Sequence, residues 1–374
     1  VVVISDLHLG KVQDTIPKYG MPSRLYDARE RVMEAMLYAS KRKESLIIAG
    51  DVFDNASPNP ITITTFFDIL GEATGIGLKV YIIAGNHDCS VNYFSMMYLC
   101  DEREGYPNVM VIESPNTLMV DGMKVLFLPH VMKSVVDAQG YQEWVLDRLS
   151  DDQVKGVDVV IGHAHLAGAK NSSDIEIEAG DAVSFNPSKF YKYKLGIFGH
   201  IHRHQVLGKN WYCGSVVTNS FDEAEIEKGF VHVARPSEPE FVPYVTPETE
   251  YRTINIDLVN KDTLVFDPKK MTKLAKDKLL KLVVFAKDIM QVNQTEIRRN
   301  FDEYGTVVRF ETVISDKYNN GETEEVSDVF EIVNYKEVFK RWVKEKPEIS
   351  EESRKELIKI GYSVIEEVIN AERN

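Results

Sequence analysis

The sequence predicts an α/β protein with a smaller second domain, and three observations carry that reading. In the first half, short runs rich in Val and Ile alternate with stretches whose apolar residues recur at helical spacing. Between residues 235 and 247, Pro236, Pro239, Pro243 and Pro247 sit among glutamates, a composition that resists helix and central strand and predicts a domain boundary. A shorter β-α-β-α-β pattern follows, and then a helical tail. A chain of 374 residues has room for two or three domains of ~150 residues each, and 44% apolar residues can supply their cores.

Residues 1–5 predict a buried strand, on which the chain opens as if a residue or two had been trimmed. Leu25, Ala28, Val32, Ala35, Met36 and Ala39 then mark a helix, and residues 45–49 a second strand. Ile63, Phe66, Phe67 and Leu70 form another helix face, with a strand at 78–84 closed by Gly85. Strands follow at 108–113 and 117–129, the latter a hairpin turning on Asp121-Gly122. A helix at 139–149, strands at 157–161 and 195–198, and a β-rich stretch to Val233 complete this part. Beyond the prolines come strand 253–258, Lys-rich helix 268–280, strand 281–286, helix 294–304 and strand 306–314. The polar run 315–325, with Asn319-Asn320-Gly321, is a loop or linker. The tail is helical from Tyr335, broken by Pro347 and restarted after Ser350 with Glu351 and Glu352 in its first turn. Three domains are therefore expected, at 1–236, 248–316 and 328–374.

A formal net charge of −14 argues against a chain that coats nucleic acid through bulk positive charge. It does not exclude a nucleic-acid enzyme, because residues 261–299 hold ten Lys or Arg against five Asp or Glu. Cys89, Cys100 and Cys213 have no disulfide or zinc spacing, which predicts a reducing, cytoplasmic setting. No run approaches the ~18 apolar residues of a membrane span.

The chemistry sits where strands end. Five patterns do so: Asp6-Leu7-His8, Gly50-Asp51-Val52-Phe53-Asp54, Gly85-Asn86-His87-Asp88, Gly162-His163 and Gly199-His200-Ile201-His202. Loops at the carboxyl ends of strands in an open α/β sheet converge on one site. In extended chain, residues i and i+2 face one side, so Asp-x-His and His-x-His can both reach one ion. Each pattern alone is weak: Gly-Asp is a common turn, and Asp88 could simply cap a helix. Five in order, using five of the nine histidines, point to a metal site. The mixture of carboxylate, amide and imidazole suits Mn²⁺ or Fe²⁺ better than a thiolate zinc site or an all-oxygen calcium cage. His163 and His165 compete for one ligand position, with His163 directly following its strand. His130 and His204 are expected in the wall or on the surface, and His232 in a structural position.

These patterns resemble the calcineurin-like metallophosphoesterase superfamily over residues 1–235. Gly199-His200-Ile201-His202, continued by Gly214-Ser215, Ser220-Phe221 and Lys228-Gly229-Phe230, is similar to its SbcD branch, the nuclease subunit of a double-strand-break repair complex. The resemblance implies a two-sheet sandwich flanked by helices, a smaller α+β cap and a C-terminal helical arm. It implies two Mn²⁺, with Mg²⁺ or Fe²⁺ as substitutes. Asp6, His8 and His202 would hold one ion, Asn86, His163 and His200 the other, and Asp51 would bridge them. His87 would stabilise the transition state or protonate the leaving group, and the Asp54 carboxylate would orient His87, although some relatives have histidine at that position.

The implied function is a Mn²⁺-dependent DNA nuclease, a 3′-to-5′ exonuclease on duplexes and an endonuclease on single strands. An SbcC-like coiled-coil ATPase would be its partner, in a heterotetramer built on a nuclease homodimer, in the cytoplasm (the host's, for a phage protein). The alternatives are a phosphatase or cyclic-nucleotide phosphodiesterase using the same metals, or a metal-free scaffold. Lys269, Lys270, Lys273 and Lys276 would meet DNA phosphates, or merely form a solvated face. Ile63, Phe66, Phe67 and Leu70, with Phe94, Met97 and Tyr98, would form the dimer interface, or simply core. In the tail, Val338, Phe339, Trp342 and Val343, then Leu357, Ile358, Ile360, Val364, Ile365 and Val368, would bind the ATPase, or fold back on the cap.

Overall fold

In the computed structural model, the described residues are 1–11, 15–89, 105–130, 149–173, 175, 184–185, 192–258, 275–276, 278–289, 292–302, 305–314, 343 and 353–362. Along the chain run β1 (Val2–Ile4), β2 (Pro17–Lys18), β3 (Met21–Pro22), α1 (Ser23–Arg42), β4 (Leu46–Ala49), α2 (Pro60–Gly75), β5 (Val80–Ile83) and β6 (Val109–Ile112). Next come β7 (Asn116–Val120), β8 (Met123–Leu128), α3 (Asp151–Val154), β9 (Val159–His163), β10 (His165–Leu166), β11 (Ser184–Phe185) and β12 (Leu195–Gly199). Then follow β13 (Gln205–Leu207), β14 (Asn210–Tyr212), a 3₁₀ turn at Phe221–Glu223, β15 (Gly229–Val233) and β16 (Pro239–Pro243). Strands β17 (Tyr251–Asp257), β18 (Leu279–Ala286) and β19 (Thr306–Ile314), with α4 (Gln294–Asp302), complete the series.

Two six-stranded sheets dominate, ordered β16-β15-β1-β4-β5-β6 and β13-β14-β12-β9-β8-β7. In the first, β1, β4, β5 and β6 are mutually parallel; in the second, β8, β9, β12 and β14 are. Alternation along the strands divides their apolar residues between two cores. Val1, Val3, Ile47 and Ala49 pack against Phe127, Val159, Ile161 and Ile197 of the second sheet. Val2, Ile4, Leu46 and Ile48 pack instead under α1 and α2, against Leu25, Val32, Met36, Phe66 and Leu70. Strands buried on both faces read as unbroken apolar runs, which is why they were legible. Helix α2 starts at Asn59, whose side-chain oxygen accepts from Thr62 N, with Pro60 in the first helical position. Helix α1 ends at Lys43, in the left-handed conformation, after Lys41 and Arg42 in its last turn.

Two expectations need correction, and for α2 the alternative of a core-facing stripe finds support. The proline-rich stretch contains a strand, β16, which pairs antiparallel with β15 at the edge of the first sheet. Proline is tolerated at an edge because its missing N–H leaves no central ladder bond unmade. Leu279 and Leu280, expected to end a helix, open β18. Phe66 and Leu70 are buried in the core under α1, so the apolar stripe of α2 is largely covered within the chain.

Strands β17, β18 and β19 form a separate parallel sheet with its own core, including Leu280, Leu282, Val284, Ile297 and Phe301. It belongs to the same unit, Val1–Asp316, as the two larger sheets. Arg24 donates to the Tyr251 hydroxyl, and the Phe221 and Tyr251 rings meet edge-on at 5.2 Å. A second unit is Lys317–Asn374, in which residues 353–362 are helical, as expected, and Leu357 and Ile360 are exposed. Lys269, Lys270, Lys273, Phe94, Met97, Tyr98, Phe339, Trp342 and Val364 lie outside the described residues, as does most of helix 139–149. Lys276 is exposed in a turn. No helix among the described residues is long and apolar enough to cross a membrane.

Candidate metal centre

The carboxyl ends of β1, β4 and β5 deliver Asp6, His8, Asp51, Asn86 and His87, and those of β9 and β12 deliver His163 and His200. Because the sheets stack face to face, these ends meet. Asp6, His8, Asp51 and His200 all adopt positive φ, at 53°, 43°, 51° and 96°, a region that residues with a Cβ rarely enter. Their loops turn inward immediately after the strands, and glycine makes room for the approach. A Cβ on Gly85 would overlap Asp51 Oδ1 and the Asp51 main-chain nitrogen, and one on Gly50 would overlap His163 Nδ1.

Three groups of ligand atoms result among the described residues, one of them His8, Asp54 and His87. Asp6, His8 and His202 form a second, with His8 Nε2 and His202 Nε2 only 2.8 Å apart. Asp6, Asp51 and His163 form the third, with His163 Nε2 at 3.4 Å from Asp51 Oδ2. Asn86 Oδ1 faces both His163 Nε2 at 3.1 Å and His200 Nδ1 at 2.9 Å. Asp51 Oδ2 also lies 3.7 Å from His8 Nε2, so it stands between the second and third groups. The backbone holds both carboxylates: His200 N–H donates to Asp6 at 2.9 Å, and His87 N–H donates to Asp51 Oδ1 at 2.9 Å.

Burial and charge compete here. Burial alone would raise Asp51, but His163 facing it more than compensates and holds its carboxyl below the usual range. Burial opposes a charge on His163 too, yet the same carboxylate lifts the ring to about 9. His200 is pushed down to about 4 by burial and by neighbouring His163, and His8 is lowered by burial despite Asp54 beside it. Buried carboxylates thus gather imidazoles whose nitrogens converge on common points. Two ring nitrogens 2.8 Å apart share at most one proton, and both can serve one cation. The residues fit divalent metal ions.

Several supporting residues escaped sequence reading. Glu223, on the 3₁₀ turn, accepts from His202 Nδ1 at 2.8 Å through Oε1 and from Lys228 Nζ at 2.7 Å through Oε2. Burial would raise Glu223, but His202 and Lys228 hold its carboxyl well below the usual range. Asp88 does more than cap: it accepts from the N–H groups of Val52, Phe53 and Gly85, tying the Asp51 loop to the Asn86 loop. Burial, then the nearby Asp51 charge, raises Asp88 to about 6.

The expected role of Asp54 changes in detail. His87 Nδ1 meets the main-chain carbonyl of Asp54 at 2.7 Å, whereas the Asp54 carboxylate lies 3.3 Å from His8 Nδ1. The carbonyl, not the carboxylate, therefore orients His87. His163 Nδ1 donates to Ala49 O at 2.8 Å, leaving Nε2 for the cluster, while His165 belongs to none of the three ligand groups found among the described residues. His130 lies behind His163 at a 6.4 Å ring separation, lowered to about 4 by burial and by His163. His204 stacks on Phe241 at 3.9 Å, and His232 pairs with Glu44 at 3.0 Å.

The sequence profile of the calcineurin-like phosphoesterases matches residues 1–204. The chain is 26% identical over 223 residues to the SbcD component of nuclease SbcCD from Escherichia coli K12, covering 51% of this chain and 54% of that protein. It is 28% identical over 276 residues to the DNA double-strand break repair protein Mre11 of Archaeoglobus fulgidus, covering 66% and 59% respectively. Against exonuclease subunit 1 of Enterobacteria phage T4 it is 23% identical over 337 residues, 87% of this chain and 88% of that one. The chain thus spans only about half the length of the SbcCD component.

Proposed function

The chain belongs to the calcineurin-like phosphoesterase family and is a metal-dependent phosphoesterase; from that premise we propose that it is a DNA nuclease of the SbcD and Mre11 type. The observation that carries this reading is the reach of the similarity. The phosphoesterase profile ends at residue 204, whereas the match to the phage exonuclease subunit takes in 87% of the chain. A small phosphate ester needs no further three-stranded sheet beyond the two that build the site. A polymer does need surface beyond the reacting bond.

In this proposal Asp6, His8 and His202 would hold one ion, Asn86, His163 and His200 would hold the other, and Asp51 would serve both. Two divalent ions, when bound, polarise the phosphodiester, activate water and steady the leaving oxygen. The protein's own part is to position and to move a proton. Asp54 O fixes the Nδ1–H of His87 and turns Nε2 outward, so that a doubly protonated ring would give its Nε2 proton to the departing oxygen and be left neutral. His87 is exposed at the site, as a group meeting substrate must be. Mn²⁺ is the proposed metal, on the strength of the mixed oxygen and nitrogen donor set. The proposal extends to cleavage of duplex ends from 3′ to 5′ and of single strands internally. It also includes an SbcC-like coiled-coil ATPase partner, contacts through the tail at 328–374, and a nuclease homodimer.

The test supplies Mn²⁺ with an end-labelled duplex, a single-stranded circle and a small phosphodiester in parallel. Degradation of the DNA substrates, with turnover of the small ester far slower, is expected. Rapid turnover of the small ester with intact DNA would replace the nuclease reading by a phosphodiesterase. No cleavage of any substrate would leave a scaffold.

A further inference from the structure

We propose that Glu223 is a positioning residue for the metal centre, one that fixes the tautomer and direction of His202 through a carboxylate–imidazole bond clamped from behind by Lys228. The inference rests on the metal-dependent reading of the site and not on DNA being the substrate. Glu223 lies outside all five strand-end motifs, on the 3₁₀ turn Phe221–Glu223, and its side chain is 3% exposed.

The geometry is specific at both carboxylate oxygens. Oε1 accepts from His202 Nδ1 at 2.8 Å, so the proton sits on Nδ1 and Nε2 keeps its lone pair, turned to within 2.8 Å of His8 Nε2. Oε2 accepts from Lys228 Nζ at 2.7 Å, Asn219 N at 3.0 Å and Ser215 Oγ at 3.3 Å. Lys228 Nζ in turn donates to Ser215 Oγ at 2.8 Å and to the His202 carbonyl at 3.2 Å. Lys228 therefore holds the backbone of the very residue whose ring Glu223 holds. Its side chain is 1% exposed, and an ammonium so buried needs a counter-charge, which Glu223 alone supplies among its described ion pairs.

The alternative is a buried ion pair that serves folding and merely abuts the ligand. That role would be satisfied by Oε2. It gives no reason for Oε1 to meet the imidazole. Nor does it explain why the other ring nitrogen lands on the ligand cluster of Asp6 and His8.

The experiment measures Mn²⁺ binding by calorimetry, without nucleic acid, for the parent chain, Glu223→Ala, Glu223→Gln, His202→Ala and the double variant. Melting in chelator checks folding, and ¹⁵N shifts of the His202 ring in the metal-free protein report the tautomer. Glu223→Ala should weaken one of two Mn²⁺ sites by ~10–100-fold and abolish the single His202 tautomer. Glu223→Gln keeps an acceptor for Nδ1–H and should retain the tautomer and most of the affinity. In the His202→Ala background, the same Glu223→Ala change should weaken Mn²⁺ no further. Parent-like affinity in folded Glu223→Ala, or an equal loss in both backgrounds, overturns the proposal. If Glu223→Ala does not fold, Glu223→Gln decides: parent-like tautomer and affinity support it, a scrambled tautomer with unchanged affinity overturns it. A parent chain that binds no Mn²⁺ would overturn the metal reading itself, so the two failures are distinguishable.

Discussion

Replacing His87 with Ala should separate chemistry from metal binding. The main-chain N–H of His87, which survives the substitution, is what donates to Asp51 at 2.9 Å. The side chain is exposed, and its polar contact runs from Nδ1 to Asp54 O at 2.7 Å. Removing it deletes one solvent-facing hydrogen bond and an edge contact with the His8 ring at 4.7 Å. The stability change should therefore stay within ~0.5 kcal/mol, the ordinary range for a surface site. The rate should fall by ~10²–10⁴-fold, the usual contribution of a positioned acid or base. At ~1.36 kcal/mol per decade, that is ~2.7–5.4 kcal/mol of transition-state stabilisation, several times the folding effect. Single-turnover cleavage of a labelled duplex gives the rate, and calorimetry with Mn²⁺ gives the stoichiometry. A loss below ~10-fold, or loss of an ion from the folded variant, would refute the assignment.

Gly85→Ala should disrupt metal binding without altering any ligand, because its Cβ would collide with Asp51 Oδ1; the control Gly71→Ala, in open space on α2, should raise stability by ~0.5–1 kcal/mol, and thermal melting with Mn²⁺ titration reads both. Reversing the charges of Lys269, Lys270 and Lys273 together should weaken DNA binding and flatten its dependence on salt, measured by fluorescence anisotropy across a salt series. Deleting residues 328–374 should leave Mn²⁺-dependent cleavage of simple DNA intact and abolish co-purification with the ATPase partner, so retained assembly would remove the tail from that role.

Much of the candidate metal centre was legible because its proposed ligands cluster at or just beyond the ends of strands that are apolar on both faces, where a polar Asp, Asn or His stands out. The residues that hold those ligands in place were not, for equally physical reasons. Glu223 lies 21 residues from His202 on a turn with no periodicity of its own, so only the folded chain brings its carboxylate to the ring. Asp88 was legible as a residue but not as a tie, since the N–H groups of Val52, Phe53 and Gly85 that it joins are main-chain groups, which every sequence has. Proline composition suggested a linker at 235–247, yet sequence carries no mark of whether a strand lies at an edge, and the edge decides whether those prolines fit. The family resemblance implied that the Asp54 carboxylate orients His87, but nothing in a sequence tells a side-chain oxygen from the main-chain oxygen that makes this contact.

The positive φ angles at Asp6, His8, Asp51 and His200 set folding and chemistry against each other at the same residues. Each such position disfavours a side chain by ~1–2 kcal/mol relative to the right-handed conformation, and the strain persists only while the surrounding sheets hold it. A peptide copying residues 5–9 would relax out of the geometry and keep little of its hold on an ion. The grip therefore belongs to the assembled sheets and not to the motif. Cations that recognise only this arrangement act as ligands of the native state, so melting temperature should climb with their concentration, and unfolding and ion release should be one event.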